Sequence, residues 1–211
     1  MTADPTPGEP VRWLLAEGEK GAALTQTGAL ARALVRDAAL RWPNWWHADL
    51  FGPPHRELDL PMLTELRERL VRLRLLRRRG RALHATKRGV ELAGTPGQLV
   101  QLLRDDMAHE GGIDATTWRY LSERLQAAGP EGVPVGELER ELLDALTEDG
   151  WQILGGGYLG RDDLWHILQP LRLRGEAYGL IATTHLRPGA EWRLRSTDFE
   201  RPSQRAPSAR S

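Results

Sequence analysis

The sequence contains no cysteine, which excludes disulfides and thiolate chemistry and fits a reducing compartment. It also lacks a net charge: 29 basic side chains balance 29 acidic ones, so any attraction to nucleic acid or membrane has to be local. No apolar run approaches the roughly 18–20 residues of a membrane span. The opening residues, MTADPTPGEP, have no basic and apolar signal pattern. These absences predict a soluble cytoplasmic chain with no membrane partner. Lysine is nearly missing, with only Lys20 and Lys87. The arginine, alanine, leucine and glycine in its place read as the coding bias of a GC-rich bacterial genome.

Catalytic patterns are missing as well. Serines are few and sit mostly in the tail, with no GxSxG, so nucleophilic catalysis has no candidate. The glycine run GGGYLG at residues 155–160 lacks the lysine of a phosphate cradle, and Asp162 and Asp163 follow it. His47, Asp49 and His55 are the nearest approach to a metal set, on a proline-rich stretch with no ligand spacing. The adjacent carboxylates Asp105 and Asp106, and Glu148 and Asp149, point in different directions on a helix. The reading is no enzyme, no cofactor and no metal.

What is present centres on residues 61–94. Leu63, Leu66, Leu70 and Leu73 fall at steps of three and four, the buried stripe of a helix that Pro61 opens. Leu75 and Leu76 then lead into Arg77, Arg78, Arg79, Gly80 and Arg81, a basic tight hairpin, and Thr86 is placed to cap a closing helix. Helix, hairpin, helix is the order of a winged-helix unit.

Upstream, residues 1–8 are expected to be disordered. Helices are predicted over 11–16 and 29–41, separated by a short extended segment at Ala22, Ala23 and Leu24, with Thr25 or Thr27 as a cap. Residues 42–60 hold Trp42, Trp45, Trp46 and Phe51 among prolines. They form either an insertion whose tryptophans cover the core or an aromatic surface that stacks bases or grips a partner. Downstream, a capping box at Thr95 opens a linking or dimerisation helix over 96–110, and Gly111 and Gly112 mark a domain boundary.

The second domain, 113–196, repeats the order. A helix capped by Asp114 buries Trp118, Leu121 and Leu125, and Val133–Val135 is extended. Helices are predicted over 137–147 and 161–171. In the closing hairpin Tyr178, Leu180 and Ala182 alternate in one strand, and Ala190, Trp192 and Leu194 in the other. LVRLRLLRRRG aligns with LQPLRLRGEAY, placing Leu73, Arg74 and Leu75 on Leu171, Arg172 and Leu173. Residues 197–211 read as a disordered tail. The fold class is mainly α with small β-hairpins, as tandem winged-helix domains of helix-turn-helix type, the first over 9–95.

LTQTG, ALVRDA, the tryptophan-rich insertion, LRLLRRRGR and TKRG, spanning residues 14–94, resemble the C-terminal region of an actinobacterial family described after a plasmid open reading frame. The family's glycine ahead of the hairpin leucines is Arg74 here. The resemblance implies a winged-helix-like fold and an unknown role, with no catalytic residues to carry over.

Residues 61–90 carry nine arginines and Lys87 against Glu65 and Glu68. In a winged helix the helix before the hairpin lies in the major groove and the wing touches the backbone. Arg67, Arg69 and Arg72 are assigned to the helix, and Arg77, Arg78, Arg79, Arg81, Lys87 and Arg88 to the hairpin and closing helix. The expected partner is duplex DNA, held mostly by phosphate contacts, in a protein of the transcription-regulator type. The alternative is a protein-interaction or dimerisation module, its arginines paired with acids such as Glu137, Glu139, Glu141 and Asp144.

Overall fold

The computed structural model describes residues 5–46, 51–109, 111–153, 156–184 and 193–197. Helix α1 (Glu9–Lys20) leads through the two-residue strand β1 (Ala22–Ala23) to α2 (Arg32–Arg41). After the tryptophan-rich stretch come α3 (Pro61–Arg72), the hairpin of β2 (Leu76–Arg79) and β3 (Ala82–Ala85), and α4 (Lys87–Ala93). Helix α5 (Pro96–Ala108) connects to a second unit of α6 (Gly112–Ala128), β4 (Val133–Pro134), α7 (Val135–Glu148), α8 (Arg161–Ala177), β5 (Ile181–Thr184) and β6 (Arg193–Ser196). Both sheets are antiparallel with the last strand in the middle, in the orders β1-β3-β2 and β4-β6-β5. The described chain is thus mainly helical, with one topology used twice.

Local chemistry accounts for the first unit. Pro61 stands at the start of α3, and Leu63, Leu66 and Leu70 are fully buried on its inner side. The helix ends where Arg74 takes a left-handed φ of 57°, and the Leu75 amide returns to the Leu70 carbonyl at 2.8 Å. Gly80, at φ 61°, turns the hairpin, which pairs Leu76 with Ala85 and Arg79 with Ala82. The Thr86 hydroxyl accepts from the Gly89 amide at 3.0 Å, capping α4 as the sequence predicts. Gly89 lies against the Leu75 carbonyl so closely that a Cβ would collide with it.

The two units share an element order and a sheet topology, but the register that relates them is not the one the leucine and arginine pattern suggests. Helix α8 runs to Ala177, six residues past the predicted end, with Pro170 inside it. The Leu180 amide meets the Gly175 carbonyl as Leu75 meets Leu70, and Gly179, at φ 69°, takes the place of Arg74. Leu73, Arg74 and Leu75 therefore correspond to Tyr178, Gly179 and Leu180. Backbone closure of the helix sets this register, and side-chain similarity within a leucine-rich helix does not report it. The first strand of the second hairpin begins at Ile181, and Ala190 and Trp192 lie outside the described residues.

Other local differences have simple causes. Helix α2 starts after Ala31 with no side-chain cap, because Thr25 accepts the Ala29 amide within its own turn. Thr95 does not cap α5, since its hydroxyl donates to the Glu91 carbonyl at 3.1 Å. Helix α6 is preceded by Gly111, which leaves Asp114 in its first turn.

The units share one core. Helix α3 packs on α8, and α5 lies between α4 and α6. Leu99, Leu103 and Met107 of α5, the helix read as linking or dimerising, are buried within the chain. Trp42 and Trp45 are core residues: their rings lie 4.6 Å apart, and Trp13 meets Trp42 edge-on at 5.2 Å. The Trp13 indole donates to Asp37 at 3.0 Å. Among the described residues no helix is long and apolar enough to cross a membrane.

Candidate nucleic-acid interface

The helix expected to enter a groove is the one that joins the two units. Glu65 of α3 accepts from Arg69 Nε at 2.9 Å and from Arg174 Nε of α8 at 3.1 Å, and Arg69 also approaches Asp106 of α5 at 3.9 Å. The Tyr178 hydroxyl donates to Asp106 at 2.5 Å. Burial pushes the Tyr178 phenol well above its ordinary range, and the Asp106 carboxylate adds to the rise. Arg69 and Arg174 occupy equivalent places in their units, one turn before the helix end, so a single carboxylate serves both.

This arrangement removes two residues from the set read as DNA contacts. Arg69 is only 6% exposed and sits inside the junction. Arg67 donates from Nε at 2.5 Å to Glu57, a buried carboxylate in the short turn Glu57–Asp59. Glu57 also accepts the Leu30 amide at 2.6 Å, and its carbonyl accepts from the Thr64 hydroxyl. Both arginines have the spacing of a charged outer face, but the second unit and the insertion turn cover that face.

The hairpin and the start of α4 are different. Arg72, Arg77, Arg78, Arg79, Arg81, Lys87 and Arg88 are all exposed, and no acid occurs between Leu76 and Arg88. Arg78 folds back to the Gly80 carbonyl at 3.1 Å, Arg88 reaches the Leu73 carbonyl at 3.5 Å, and Lys87 lies 3.9 Å from Glu91. Arg77, Arg79 and Arg81 make no ion pair with any described residue. Strand alternation puts Arg77 and Arg79 on one face, with His84 opposite Arg77 across the ladder. The acids of α7 do not serve this hairpin: Glu137 and Glu141 hold Arg124 at 2.8 and 2.6 Å, and Glu139 holds Arg161 at 2.7 Å.

Sequence reasoning missed Glu57, Arg174 and Tyr178. The available signal for Arg174 was its place on the buried stripe of α8, three residues after Leu171. Among the described residues no three histidine or carboxylate side chains gather into a metal site, and His47 and Asp49 lie outside them.

Comparison with known proteins singles out the same half of the chain. Residues 12–98 match the family model of the Y4jL N-terminal domain. That span runs from within α1 to the first turn of α5. An uncharacterized protein, y4jL, of Sinorhizobium fredii (strain NBRC 101917 / NGR234) is 37% identical over 95 residues, which is 43% of this chain and 43% of that protein. The chain thus spans less than half the length of the relative it matches. The matched residues nearly coincide with the 14–94 stretch whose motifs suggest a family, but the matching model describes an N-terminal domain. No solved structure matches.

Proposed function

We propose that this protein binds duplex DNA through its first hairpin, as a cytoplasmic protein of the transcription-regulator type built from two winged-helix units. The observation that carries the reading is the exposed set Arg77, Arg79 and Arg81, three guanidinium groups on one tight turn with no carboxylate partner among the described residues. Guanidinium groups so placed suit phosphate oxygens bidentately. Lys87 and Arg88 extend the patch, and Arg78 borders it. Helix α3 stays in the junction, so the contact is to the backbone, with little reading of base edges. A second reading, a protein-interaction module without DNA binding, draws on that same burial of α3.

Fluorescence anisotropy with a labelled random duplex separates the two. Between about 50 and 200 mM salt the affinity is expected to fall steeply, and changing Arg77, Arg79 and Arg81 together to Ala should reduce the log–log salt slope by about 3. No binding at the lower salt, or a slope untouched by the triple change, would sink the DNA reading in favour of the second.

A further inference from the structure

The place that Glu57 fills in the first unit is open in the second. Arg67 and Arg172 are equivalent by the helix register, as are Thr64 and Gln169, and Leu63 and Leu168. In the first unit these positions are covered by the turn Glu57–Asp59, whose glutamate bonds Arg67 and the Leu30 amide ahead of α2. In the second, a groove of about 480 Å³ runs between the start of α7 and α8, lined by Val135, Trp165, Leu168, Gln169, Arg172 and Leu194. Trp165 is 46% exposed at its rim. The Arg172 Nε is buried with no hydrogen-bond partner, although its other nitrogens reach Gln169 at 3.2 Å and Glu176 at 3.6 Å. A guanidinium with one donor left unmade stands at the wall of this apolar groove, and a carboxylate is the acceptor that suits it best.

We propose that this groove binds a glutamate-bearing turn of a protein partner, its carboxylate on Arg172 and its apolar flank against Trp165 and Leu168. The occupant is argued from the chain's own chemistry: the first unit satisfies the equivalent arginine with a glutamate from a short turn. This site lies apart from the basic hairpin and stands whether or not the hairpin binds DNA.

The probe is a capped peptide with the sequence of residues 55–62, HRELDLPM, titrated into the isotope-labelled full chain and followed by NMR. Saturable shifts are expected at the Trp165 indole, the Arg172 Nε–H and the Val135 amide. Replacing the peptide's glutamate by glutamine should weaken binding about tenfold or more, the worth of one charge-assisted hydrogen bond. Arg172→Met should do the same, and if that variant does not fold, the glutamine peptide decides. The proposal is overturned by the absence of saturable shifts at millimolar peptide, by equal binding of the glutamine peptide, or by shifts at Arg67 in place of Arg172. Equally tight binding of free glutarate would also overturn it, by assigning the groove to small acids.

Discussion

Val71 and Glu176 stand at the same place in their respective units, one residue before the end of the helix that precedes the hairpin. The valine is 39% exposed and the glutamate only 7%. Topology cannot explain this inversion, because the topology is shared; the cover is what differs. Trp42, Trp45 and Pro5 of the first unit border a small gap of about 20 Å³ with Glu176, Ile181, Ala182 and Thr183. The Gly8 amide donates to the Tyr178 carbonyl at 2.9 Å, so the N-terminal segment lies on the same corner. The first unit covers the second, while its own corner at Val71, Arg72 and Arg74 is exposed. Two units of one topology thus differ at this corner: in the second it is covered, and in the first, beside the basic hairpin, it is left to solvent.

The strongest way to break this division is at the junction. Glu65→Ala takes away the carboxylate that Arg69 and Arg174 both face, and removing one partner from a buried ion-pair network costs about 3–5 kcal/mol. Urea denaturation should show a midpoint lowered accordingly, and a loss under about 1 kcal/mol would mean that Glu65 is not the tie. The equivalent pair Arg74 and Gly179 sharpens the comparison. At Gly179 an added Cβ meets both a left-handed φ and the Thr6 carbonyl at 2.9 Å, so Gly179→Ala should cost more than the roughly 1–2 kcal/mol of the conformation alone. Arg74→Gly relieves a non-glycine residue of the same conformation and should stabilise by up to about 1 kcal/mol, read as a raised Tm.

The smallest expected effect is a trend with pH. Burial holds the Glu176 carboxyl above its ordinary value of 4.5, partly offset by Arg172 and by the hydrogen bond from Thr183. A raised folded-state pKa gives stability that is fully present below the unfolded value and is lost as pH rises through the folded one. Glu176→Gln removes that loss, so the Tm of the variant relative to the native protein should climb between acid and neutral pH. A flat difference would place the ionised Glu176 in a better-solvated setting than its burial beside the gap at Trp42 and Trp45 provides.

Most of the architecture was legible in the sequence because it depends on local chemistry. The stripe of Leu63, Leu66 and Leu70, the proline at 61, the turn at Gly80 and the cap at Thr86 all fall where the residues alone put them. The hairpin arginines are likewise exposed as read. What was not legible depends on contacts between distant segments. Arg67 and Arg69 have the spacing of solvated residues, and only Glu57 in the insertion and Arg174 in the other unit make them interior. The tryptophan-rich stretch left two readings open because aromatic composition alone does not distinguish a core from a stacking surface. Its position against α1, and beside the second sheet, decides for the core at Trp42 and Trp45.

The pairing of Thr86 with Gly89 gives the first unit a signature that can be searched for. The threonine hydroxyl accepts the glycine amide, and the glycine lets α4 rest on the Leu75 carbonyl where any side chain would push it away. The exposed arginines of the hairpin carry no such packing constraint, but these two residues are bound to each other by geometry. A threonine with a glycine three places on, directly after a short arginine-bearing hairpin, therefore serves as a compact fingerprint for recognising the same docking in chains whose overall similarity has faded.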